Sequence, residues 1–492
     1  MRIAFATVGC RLNQFETDAL RGRAHAAEEE VVPFEAPADV YVINTCTITA
    51  EADADSRQLA RRAIRRNPSA LVVVTGCYAQ AAPAAVAAIP GVDLVVGNQE
   101  KAGLLSILRE VRKNGAPEVR VGEIAGRIRM DRDEYGPGID PDRTRAFLKV
   151  QDGCNLTCSF CVVPAVRGPN RSLPVVSIVE EIERLRAAGF PEVVLTGVHL
   201  GTYGRDLSPR ASLVELCRHI AALPASPRIR LSSLDPHEVS PELIELLATS
   251  SRFCRHLHLP LQSGDEGILR RMRRGHTAAE FRSLVERLVR AVPGIAVTAD
   301  VIVGFPGEDD CAFQATRSLL DSLPLAGLHV FSYSRRVGTE AAGFGRQIPR
   351  VIKRQRNHAL RSLAERKGEE FGRRFVGAVL NVVVLHGDDK SGHREGLSDN
   401  YVRVRFKAEA ELEGSLVQVR VEGAIDGRLE GTVLGPSGIG HSSEHPENQL
   451  TVWVRSGNFT QTMDQSALSR KAAAPGQGET TWPKRFAGSS RR

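Results

Sequence analysis

Residues 146–164 read AFLKVQDGCNLTCSFCVVP and join a short apolar strand to a loop with three cysteines. The thiols belong to Cys154, Cys158 and Cys161, in the spacing CxxxCxxC. The carboxyl ends of strands are where α/β barrels place their reactive groups. An odd total of nine cysteines in 492 residues argues against a disulfide framework. The segment therefore predicts a metal site at the mouth of a barrel.

The number of thiols in this cluster loop, residues 153–164, limits what it can hold. Three thiolates supply three of the four ligands of a [4Fe–4S] cube, so one iron stays open. An open iron can chelate the amino and carboxylate groups of a methionine moiety and pass an electron into its sulfonium group. The alternatives are a zinc site or chance spacing. The preceding strand and Phe160, just before the last thiol, favour the iron–sulfur cluster.

Six strand-like segments alternate with helix-like segments from Ala146 onward. They are AFLKV (146–150), EVVLT (192–196), IRLSS (229–233), HLHLP (256–260), IAVTADVIV (295–303) and LHVFSYS (328–334). This alternation predicts a partial, open α/β barrel, to which we assign residues 144–372, including a helix at 350–371.

The first 97 residues have a similar alternation on a shorter scale. Predicted helices at 14–29 and 52–66 separate the apolar segments, which are IAFATV (3–8), VYVIN (40–44), LVVVT (71–75) and LVVG (94–97). The pattern is typical of a doubly wound parallel sheet. We therefore expect an α/β protein with an N-terminal sheet domain at 1–97.

Three strands of this domain are followed, within one or two residues, by a cysteine: Cys10, Cys46 and Cys77. Because the carboxyl ends of parallel strands share one edge, these thiols should converge. The sequence predicts a second [4Fe–4S] cluster whose open iron could bind and deliver sulfur, with Asn13 and Asn44 either bonded to it or acting as caps. The alternative is that each cysteine is a small hydrophobe at a strand end.

The other three cysteines share no spacing and are interpreted as structural; they are Cys217, Cys254 and Cys311.

The rest of the chain divides by composition. Residues 98–143 begin with a helix and end in the Gly-, Pro- and Asp-rich stretch EYGPGIDPDRT, a linker. Residues 373–437 predict a small antiparallel β-barrel, and 438–492, rich in Ser, Gly, Gln and Pro, predict a disordered tail. The barrel strands are expected in RFVGAVLNVVVL (374–385), YVRVRF (401–406), LVQVRV (416–421) and RLEGTVL (428–434).

Composition places the chain among ordinary globular proteins, with 42% hydrophobic and 25% charged residues. Its apolar stretches fall short of the roughly 20 residues that cross a bilayer. The opening MRIAFATVGC lacks the basic and apolar segments of a secretion signal. We expect a soluble, cytoplasmic protein without a membrane partner. The net charge of +7 permits a polyanionic partner but does not establish one.

The segment CNLTCSFC (154–161) resembles the signature of the radical S-adenosylmethionine superfamily. Three later segments are similar to that superfamily, namely VVLTGVHLGTYG (193–204), HLPLQSGD (258–265) and DVIVGFPGE (300–308). The resemblance implies S-adenosylmethionine as cofactor. The residues expected to contact it are Gly197, Gly201, Gln262, Ser263, Gly304 and Gly307. Arg167 and Arg171, beyond the last thiol, are expected either to neutralise an anion near the open iron or to lie in a solvated loop.

A three-cysteine sheet domain, a radical barrel and a C-terminal small barrel together resemble the methylthiotransferases. The resemblance implies that one S-adenosylmethionine donates a methyl group to sulfur on the second cluster. Another is cleaved to a 5′-deoxyadenosyl radical that abstracts hydrogen from the substrate carbon. It also implies an electron donor such as flavodoxin or ferredoxin, and leaves the sulfur source open.

Within that family, VGCRLNQFET (8–17) is similar to the branch that modifies N6-threonylcarbamoyladenosine in tRNA. The implied reaction adds a methylthio group to C2 of that nucleoside, beside the anticodon. FSYSRRVGTEAA (331–342) departs from the branch, because Arg335 and Arg336 replace an expected Pro-rich segment. The role of these two arginines is left open.

The C-terminal barrel resembles the TRAM RNA-binding module, above all in GLSDNYVRV (396–404). A period of two predicts one strand face with an aromatic ring and three cations, suited to RNA. The face consists of Tyr401, Arg403, Arg405 and Lys407. The barrel at 374–436 carries eight Lys and Arg against ten Asp and Glu. The segment 346–374 has ten against three, so the expected RNA footprint includes this helix, unless the helix merely presents a solvated face.

Two other functions stay open. The same chemistry could act on isopentenyl-adenosine in tRNA or on an aspartate of a ribosomal protein. A non-catalytic iron–sulfur protein that binds RNA is a different class of answer. Accumulation of 5′-deoxyadenosine distinguishes the enzymes from this last alternative.

Overall fold

The computed structural model describes residues 1–113, 115–127, 129–130, 143–387, 392–425 and 428–437. The predicted tail at 438–492 and most of the predicted linker stretch lie outside these residues. Within the described residues, no helix is both long and apolar enough to cross a membrane.

The N-terminal domain is built on one parallel sheet of six strands in the order β2-β1-β3-β4-β5-β6. The strands are β1 (Arg2–Thr7), β2 (Glu30–Val32), β3 (Val40–Thr45), β4 (Leu71–Gly76), β5 (Leu94–Val96) and β6 (Glu118–Arg120). Every residue of β3 and β4 is buried, as expected for central strands covered by helices on both faces. The doubly wound sheet is confirmed. The domain extends past the predicted boundary at residue 97, because β6 pairs with β5.

Five helices accompany this sheet. They are α1 (Arg11–Ala26), α2 (Ala50–Arg66), α3 (Cys77–Ala81), α4 (Pro83–Ala87) and α5 (Leu104–Glu110). The first two begin two or three residues earlier than predicted. Helix α2 starts at Ala50 because the side chain of Thr49 caps it, accepting a hydrogen bond from Ala52 N. Helices α1 and α3 begin at or next to a cysteine, so the thiols lie at helix starts on the sheet edge.

The central domain is a partial barrel of six parallel strands in two hydrogen-bonded sheets, β11-β10-β7 and β12-β13-β14. These strands are β7 (Ala146–Lys149), β10 (Glu192–Thr196), β11 (Arg228–Leu231), β12 (His256–Gln262), β13 (Ala296–Val303) and β14 (Gly327–Ser332), and the short strands β8 (Gln151–Asp152) and β9 (Arg171–Ser172) pair beside them. Two isolated parallel bridges connect the β11 and β12 regions. All six predicted strands are present, so the open barrel is confirmed.

Helices cover the outside of this barrel. They are α7 (Val175–Ala187), α8 (Leu213–Ala221), α9 (Pro241–Thr249), α10 (Glu266–Met272), α11 (Ala278–Ala291), α12 (Asp310–Ser322) and α13 (Arg350–Arg373). The short helix α6 (Val163–Arg167) instead contacts the N-terminal domain, where Asn98 Nδ2 donates to Val166 O at 2.8 Å. Capping boxes fix the starts of α8 and α11, through Ser212 with Glu215 and Thr277 with Glu280. The apolar side chains of strands and helices form one continuous core on this outer face of the strands.

The N-terminal domain closes the open side of the partial barrel by contacting both edges. Beside β7, Lys149 Nζ lies 3.4 Å from Glu16 Oε1. Beyond β14, Arg336 Nη2 donates a hydrogen bond of 2.7 Å to Asp53 Oδ2. Arg336 is thus an anchor between domains, whereas Arg335 is exposed. The edge of the N-terminal sheet that carries the cysteines therefore forms a wall of the barrel interior.

The C-terminal domain is a closed barrel of five strands in the order β15-β16-β17-β19-β18. They are β15 (Val379–Val384), β16 (His393–Ser398), β17 (Arg403–Lys407), β18 (Leu416–Ile425) and β19 (Arg428–Pro436). Strand β16 lies in a stretch that the sequence pattern did not predict as a strand. The small antiparallel barrel is confirmed: four of its five strand pairings are antiparallel, and β17 and β19 run parallel where the barrel closes.

This small barrel is fixed to the amino ends of the central strands. Arg228 and Arg230 donate to four of its backbone carbonyl oxygens at 2.9–3.0 Å, namely those of Asn381, Leu397, Ser398 and Asp399. Glu192 holds both guanidinium groups, at 2.6 and 2.8 Å. Burial opposes its charge, yet the two arginines keep the pKa of Glu192 well below its usual value. The docking surface is therefore a buried, fully paired charge cluster.

Candidate active site with two sets of cysteines

The cluster loop brings its three thiols together at the carboxyl end of β7, as its spacing predicted. Backbone amides turn toward the sulfurs: Leu156 N lies 3.4 Å from Cys154 Sγ, and Val163 N lies 3.4 Å from Cys161 Sγ. Burial, and then the neighbouring thiols, raise the pKa of Cys161 to about 12, although the Val163 amide opposes this. Three converging sulfurs with amide donors fit an iron–sulfur cluster, which requires thiolates in a polar cradle.

Two side chains that sequence analysis missed also touch this loop set. Arg274 Nη1 donates to Cys158 Sγ at 3.4 Å, and the same guanidinium contacts Asp235. His199 Nδ1 lies 3.6 Å from Cys154 Sγ, and its Nε2 lies 3.0 Å from Glu238 Oε2. His199 follows the second barrel strand and Arg274 follows α10, so only the topology brings them to the thiols. They place positive charge where the cluster would concentrate negative charge.

The loop also depends on one close backbone approach. Gly153, with φ of +72°, precedes the first thiol, and a Cβ atom there would lie 1.9 Å from the carbonyl oxygen of Pro169. Cys154 N donates to Gly168 O at 3.1 Å across the same contact. Glycine is required here because both the space and the left-handed backbone exclude a side chain.

The sheet set comprises Cys10, Cys46 and Cys77, which follow β1, β3 and β4, neighbours in the sheet. Cys46 and Cys77 are buried and Cys10 is exposed. Burial, and then Cys77 and Cys10, raise the pKa of Cys46, so the three sulfurs act on one another. Gly9 lies directly against Cys46, because a Cβ at Gly9 would be 3.0 Å from its Sγ. The structure thus brings the three thiols together at one edge of the sheet.

The asparagines beside this set serve the protein framework. Asn13 Nδ2 donates to the carbonyl oxygens of Val8 and Thr45, and Asn44 Nδ2 donates to Asn13 O at 2.9 Å. Asn13 also contacts the set, because its Oδ1 lies 4.0 Å from Cys10 Sγ, whereas the hydrogen bonds of Asn44 go to the framework. A bond from either asparagine to a cluster stays a prediction. Asn98 approaches the same set, with Nδ2 3.9 Å from Cys77 Sγ.

A buried charge network joins the two sets of thiols. Arg167 ends α6, six residues after Cys161, and donates to Asn13 Oδ1 at 2.6 Å and to Glu16 Oε1 at 2.8 Å. Lys101 Nζ lies 2.6 Å from Glu16 Oε2. Burial opposes the charge on Glu16, yet Arg167 and Lys101 hold its pKa well below the usual value. Arg167 thereby links the cluster loop to the sheet set.

Arg167 and Arg171 therefore do not lie in a solvated loop, and neutralisation of an anion near an open iron stays a prediction. Both are almost fully buried, and both contact Asp152, at 3.2 and 2.9 Å. Breaking a buried pair of this kind typically costs about 3–5 kcal/mol, because one charge is left without its partner.

Two known protein families match separate parts of this chain. Residues 148–320 match the family described as the radical SAM superfamily, and residues 2–97 match the uncharacterized protein family UPF0004. Threonylcarbamoyladenosine tRNA methylthiotransferase MtaB of Bacillus subtilis (strain 168) is 39% identical over 422 residues, which cover 85% of this chain and 93% of the relative. The chain belongs to the tRNA methylthiotransferase family.

Two further comparisons refine this assignment. The tRNA-2-methylthio-N(6)-dimethylallyladenosine synthase of Opitutus terrae is 33% identical, covering 88% of this methylthiotransferase and 97% of the relative. The solved structure of the radical S-adenosylmethionine methyltransferase TsrM from Kitasatospora setae superposes with a TM-score of 0.52 at 19% identity. It covers 69% of this chain and 76% of TsrM, which indicates a shared fold. As a radical SAM enzyme, the methylthiotransferase uses S-adenosylmethionine and a [4Fe–4S] cluster.

Most residues predicted to contact S-adenosylmethionine lie at the carboxyl ends of the barrel strands. A Cβ atom at any of the four glycines would collide with a protein side chain, in the order Gln151, Glu238, Lys353 and Arg271 for Gly197, Gly201, Gly304 and Gly307. The space beside these glycines is thus occupied by protein side chains, and contact with the cofactor stays a prediction.

Gln262 and Ser263 differ in whether their side-chain oxygens have hydrogen-bond partners within the protein. Gln262 has φ of +71° at the end of β12, and its buried Oε1 has no hydrogen-bond partner among the described residues. Strain together with an unsatisfied polar atom is typical of a ligand-binding position. Ser263 accepts from Asp265 N and contacts Thr316, so its hydroxyl serves the local turn.

The predicted RNA face is only partly as expected. Arg403, Arg405 and Lys407 share the outer side of β17, two of them paired with Glu395 and Glu430. Tyr401 precedes the strand with φ of +64°. Its ring stacks on His256 at 4.4 Å, and the Arg230 guanidinium carbon lies 4.9 Å from the ring centroid. The placement of Tyr401 on the exposed face is wrong, because the ring packs against His256 and Arg230 at the amino end of the central barrel.

Helix α13 uses several of its cations within the protein. Arg356 binds Glu308 and Asp310, both at 2.7 Å, and Lys367 donates to carbonyl oxygens at the end of α12. These charges fasten the helix to the barrel. The expected RNA footprint of the 346–374 segment is therefore smaller than its net charge suggests.

Proposed function

We propose that this chain adds a methylthio group to C2 of N6-threonylcarbamoyladenosine beside the anticodon of tRNA. The observation that carries the proposal is the meeting of two three-thiol sets, from two domains, at one barrel interior across Arg167. One set would suffice for a generic radical enzyme. The second offers a separate place for sulfur, and the names of the relatives direct the choice of substrate.

We assign the radical [4Fe–4S] cluster to the loop set, Cys154, Cys158 and Cys161, and a second [4Fe–4S] cluster to the sheet set, Cys10, Cys46 and Cys77. When bound, the clusters and S-adenosylmethionine supply the radical, the sulfur and the methyl group, chemistry that side chains lack.

The chain's own residues hold these thiols and set their surroundings. Arg274 and His199 offset negative charge at the loop set, and Asn98 approaches the sheet set. Arg167 holds the relative position of the two sets, because its guanidinium is bonded to both domains. A shift of about 1 Å between reacting groups can cost about 100-fold in rate, so this rigidity bears on catalysis.

The small and the large substrate are assigned to different groups of residues. Gln262 is the strongest candidate for contact with S-adenosylmethionine, for its strained backbone and unsatisfied oxygen support that role. The outer face of β17, with Arg403, Arg405 and Lys407, is the candidate surface for the tRNA backbone. A reduced flavodoxin or ferredoxin is the proposed electron donor.

The test is the nucleoside content of tRNA from a strain that lacks this chain. We expect the methylthio derivative of N6-threonylcarbamoyladenosine to disappear and its precursor to accumulate. Expression of the wild-type chain or of Cys311→Ala, a change at an exposed cysteine, restores the product, whereas Cys46→Ala does not. Unchanged methylthio-threonylcarbamoyladenosine with loss of the dimethylallyl product would contradict this substrate assignment.

A second measurement excludes the non-catalytic alternative. Anaerobically reconstituted protein is expected to hold about eight irons, as two four-iron clusters imply. With a reductant and S-adenosylmethionine it should release 5′-deoxyadenosine. Full iron content without that product would mean that the clusters are structural.

A further inference from the structure

A polar group of three side chains lines the barrel interior apart from both sets of thiols. His258, Asp300 and His329 lie on the neighbouring strands β12, β13 and β14. Residues on either side of each one belong to the buried core on the outer face: Leu257, Leu259, Ala299, Val301, Leu328 and Val330. Because side chains alternate along a strand, these three point into the barrel.

The three groups bond to one another through a single oxygen. His258 Nε2 lies 2.9 Å from Asp300 Oδ1, and His329 Nδ1 lies 3.3 Å from the same atom. The two imidazole rings stack with centroids 4.9 Å apart. Thr298 Oγ1 fixes the other nitrogen of His258 at 2.9 Å. The arrangement is therefore rigid and defined before any ligand enters.

Exposure rises across the group toward the open side of the barrel. The side chains of His258, Asp300 and His329 are 9%, 23% and 49% exposed. His329 is thus the member of the group that a ligand can reach most easily.

The group lies between the amino end of the barrel, where Tyr401 packs, and the carboxyl end, which carries the loop set. Below it, Thr298 Oγ1 is 3.3 Å from His256, the residue on which Tyr401 stacks. On the other side is Pro260, the register partner of Asp300 on β12. Its carbonyl oxygen accepts a hydrogen bond from Arg274, which also contacts Cys158. A molecule that reaches the loop set from inside the barrel passes this group.

The chemistry of the group fits a polar occupant. Asp300 and Thr298 occupy both nitrogens of His258, so the groups that a ligand can reach are the carboxylate of Asp300 and the exposed side of the His329 ring. A carboxylate and an imidazole match the ureido, hydroxyl and carboxylate groups of a threonylcarbamoyl substituent. A dimethylallyl substituent would desolvate the same groups and pair with none of them. Sites built to hydrogen-bond a substrate discriminate strongly against analogues that cannot pair.

We propose that His258, Asp300 and His329 form the subsite that receives the polar N6 substituent of the adenosine, with His329 as its specificity-determining residue. This inference rests on the proposed function and deepens it.

The experiment compares methylthiolation of two forms of one purified tRNA, with N6-threonylcarbamoyladenosine or unmodified adenosine at the target position. In His329→Leu, KM for the threonylcarbamoyl form should rise about 10-fold or more, the value of one hydrogen bond to a charged group, while kcat changes far less. KM for the unmodified form, where turnover is measurable, should stay within about twofold. His219→Leu is the control, because this exposed histidine bonds to Glu215 O of its own helix, and the variant should behave as wild type.

A second variant separates ligand binding from a structural role. His329→Asn keeps a donor at the position of Nδ1, and so the bond to Asp300, but removes the exposed edge of the ring. We expect it to retain full iron content and to show the same rise in KM as His329→Leu. An unchanged KM in His329→Asn overturns the inference, whatever His329→Leu does.

Two further outcomes are decisive. If wild-type protein does not modify threonylcarbamoyl-tRNA, the proposed function fails; if it does and both variants keep the wild-type KM, only the subsite fails. Since His258, Asp300 and His329 offer three ligand atoms within 4.8 Å of one another, metal analysis is included. A stoichiometric non-iron metal that is lost in His329→Leu would also overturn the subsite, because its ligand atoms would then be occupied.

Discussion

Each of the two sets of cysteines presents three thiols, but the two sets do so by different structural means. The loop set comes from eight consecutive residues, 154–161, and its shape is imposed by backbone contacts within one loop and its neighbours. The sheet set comes from residues 10, 46 and 77, and its shape is imposed by the register of three neighbouring strands. A local site tolerates changes elsewhere in its domain, whereas a site spread over a sheet depends on the whole domain.

The largest expected effect separates the two sets by chemistry. Cys158→Ala and Cys46→Ala should each lower the iron content of reconstituted protein from about eight to about four. Cys158→Ala should abolish formation of 5′-deoxyadenosine, because the radical cluster is lost. Cys46→Ala should retain it and lose only methylthiolation. Iron analysis and chromatography of the products check both, and equal loss of 5′-deoxyadenosine in the two variants would contradict the division of roles.

The connection between the sets is tested next. Arg167→Met should lower the free energy of unfolding by about 3–5 kcal/mol, since Glu16 and Asp152 lose a buried partner. Arg186→Met is the control, for Arg186 forms only an exposed pair with Glu183 and should change stability by less than about 1 kcal/mol. Denaturant unfolding measures both. Equal stability of the two variants would mean that the domains are held together elsewhere.

The backbone of each set offers a smaller, matched pair of changes. Gly153→Ala and Gly76→Ala force a side chain onto left-handed backbone, at φ of +72° and +96°, and into contact with protein oxygens. Each should cost about 1–3 kcal/mol and deplete only its own cluster. Gly189→Ala, with φ of +83° but nothing within 4 Å of the added Cβ, isolates the backbone cost. If Gly189→Ala depletes iron equally, crowding at the thiols is not the cause.

The smallest expected effect is a pH dependence at the connection. The pKa of Glu16 is lowered in the folded protein, so its contribution to stability is fully present above its unfolded value of about 4.3. That contribution is lost as the pH falls toward the folded value. The stability difference between wild type and Glu16→Gln should therefore be constant from pH 6 to 8 and shrink below about pH 4. A constant difference down to pH 3 would show that the pKa of Glu16 is the same in the folded and the unfolded protein.

The same contrast explains what the sequence could and could not predict. The CxxxCxxC spacing, the preceding strand and Phe160 predict the loop set, whereas the sheet set requires the additional rule that parallel strands end at one edge. Asn98 follows β5 at that edge, so the rule could have found it as well. Strands β2 and β6 were missed because each has three residues and an exposed end, with no apolar run.

Other features depend on contacts that local pattern does not encode. Arg167 meets Glu16 across 151 residues of sequence, and Tyr401 meets Arg11 across 390. A strand period of two placed Tyr401 with Arg403, but a positive φ just before β17 turned the ring into the central barrel. Such interdomain contacts decide which charged and aromatic residues are available to a partner, so composition overestimated the RNA-binding surface.

The attachment of the small C-terminal barrel has a consequence for how this protein can vary. Arg228 and Arg230 donate hydrogen bonds to four backbone carbonyl oxygens of this barrel, and every amino acid has such a group. Substitutions in the small barrel leave this part of the joint unchanged as long as the backbone path is kept. The outer strands are thereby free to drift, or to be exchanged by an engineer for those of another small barrel, while the orientation of the module on the catalytic body is inherited intact.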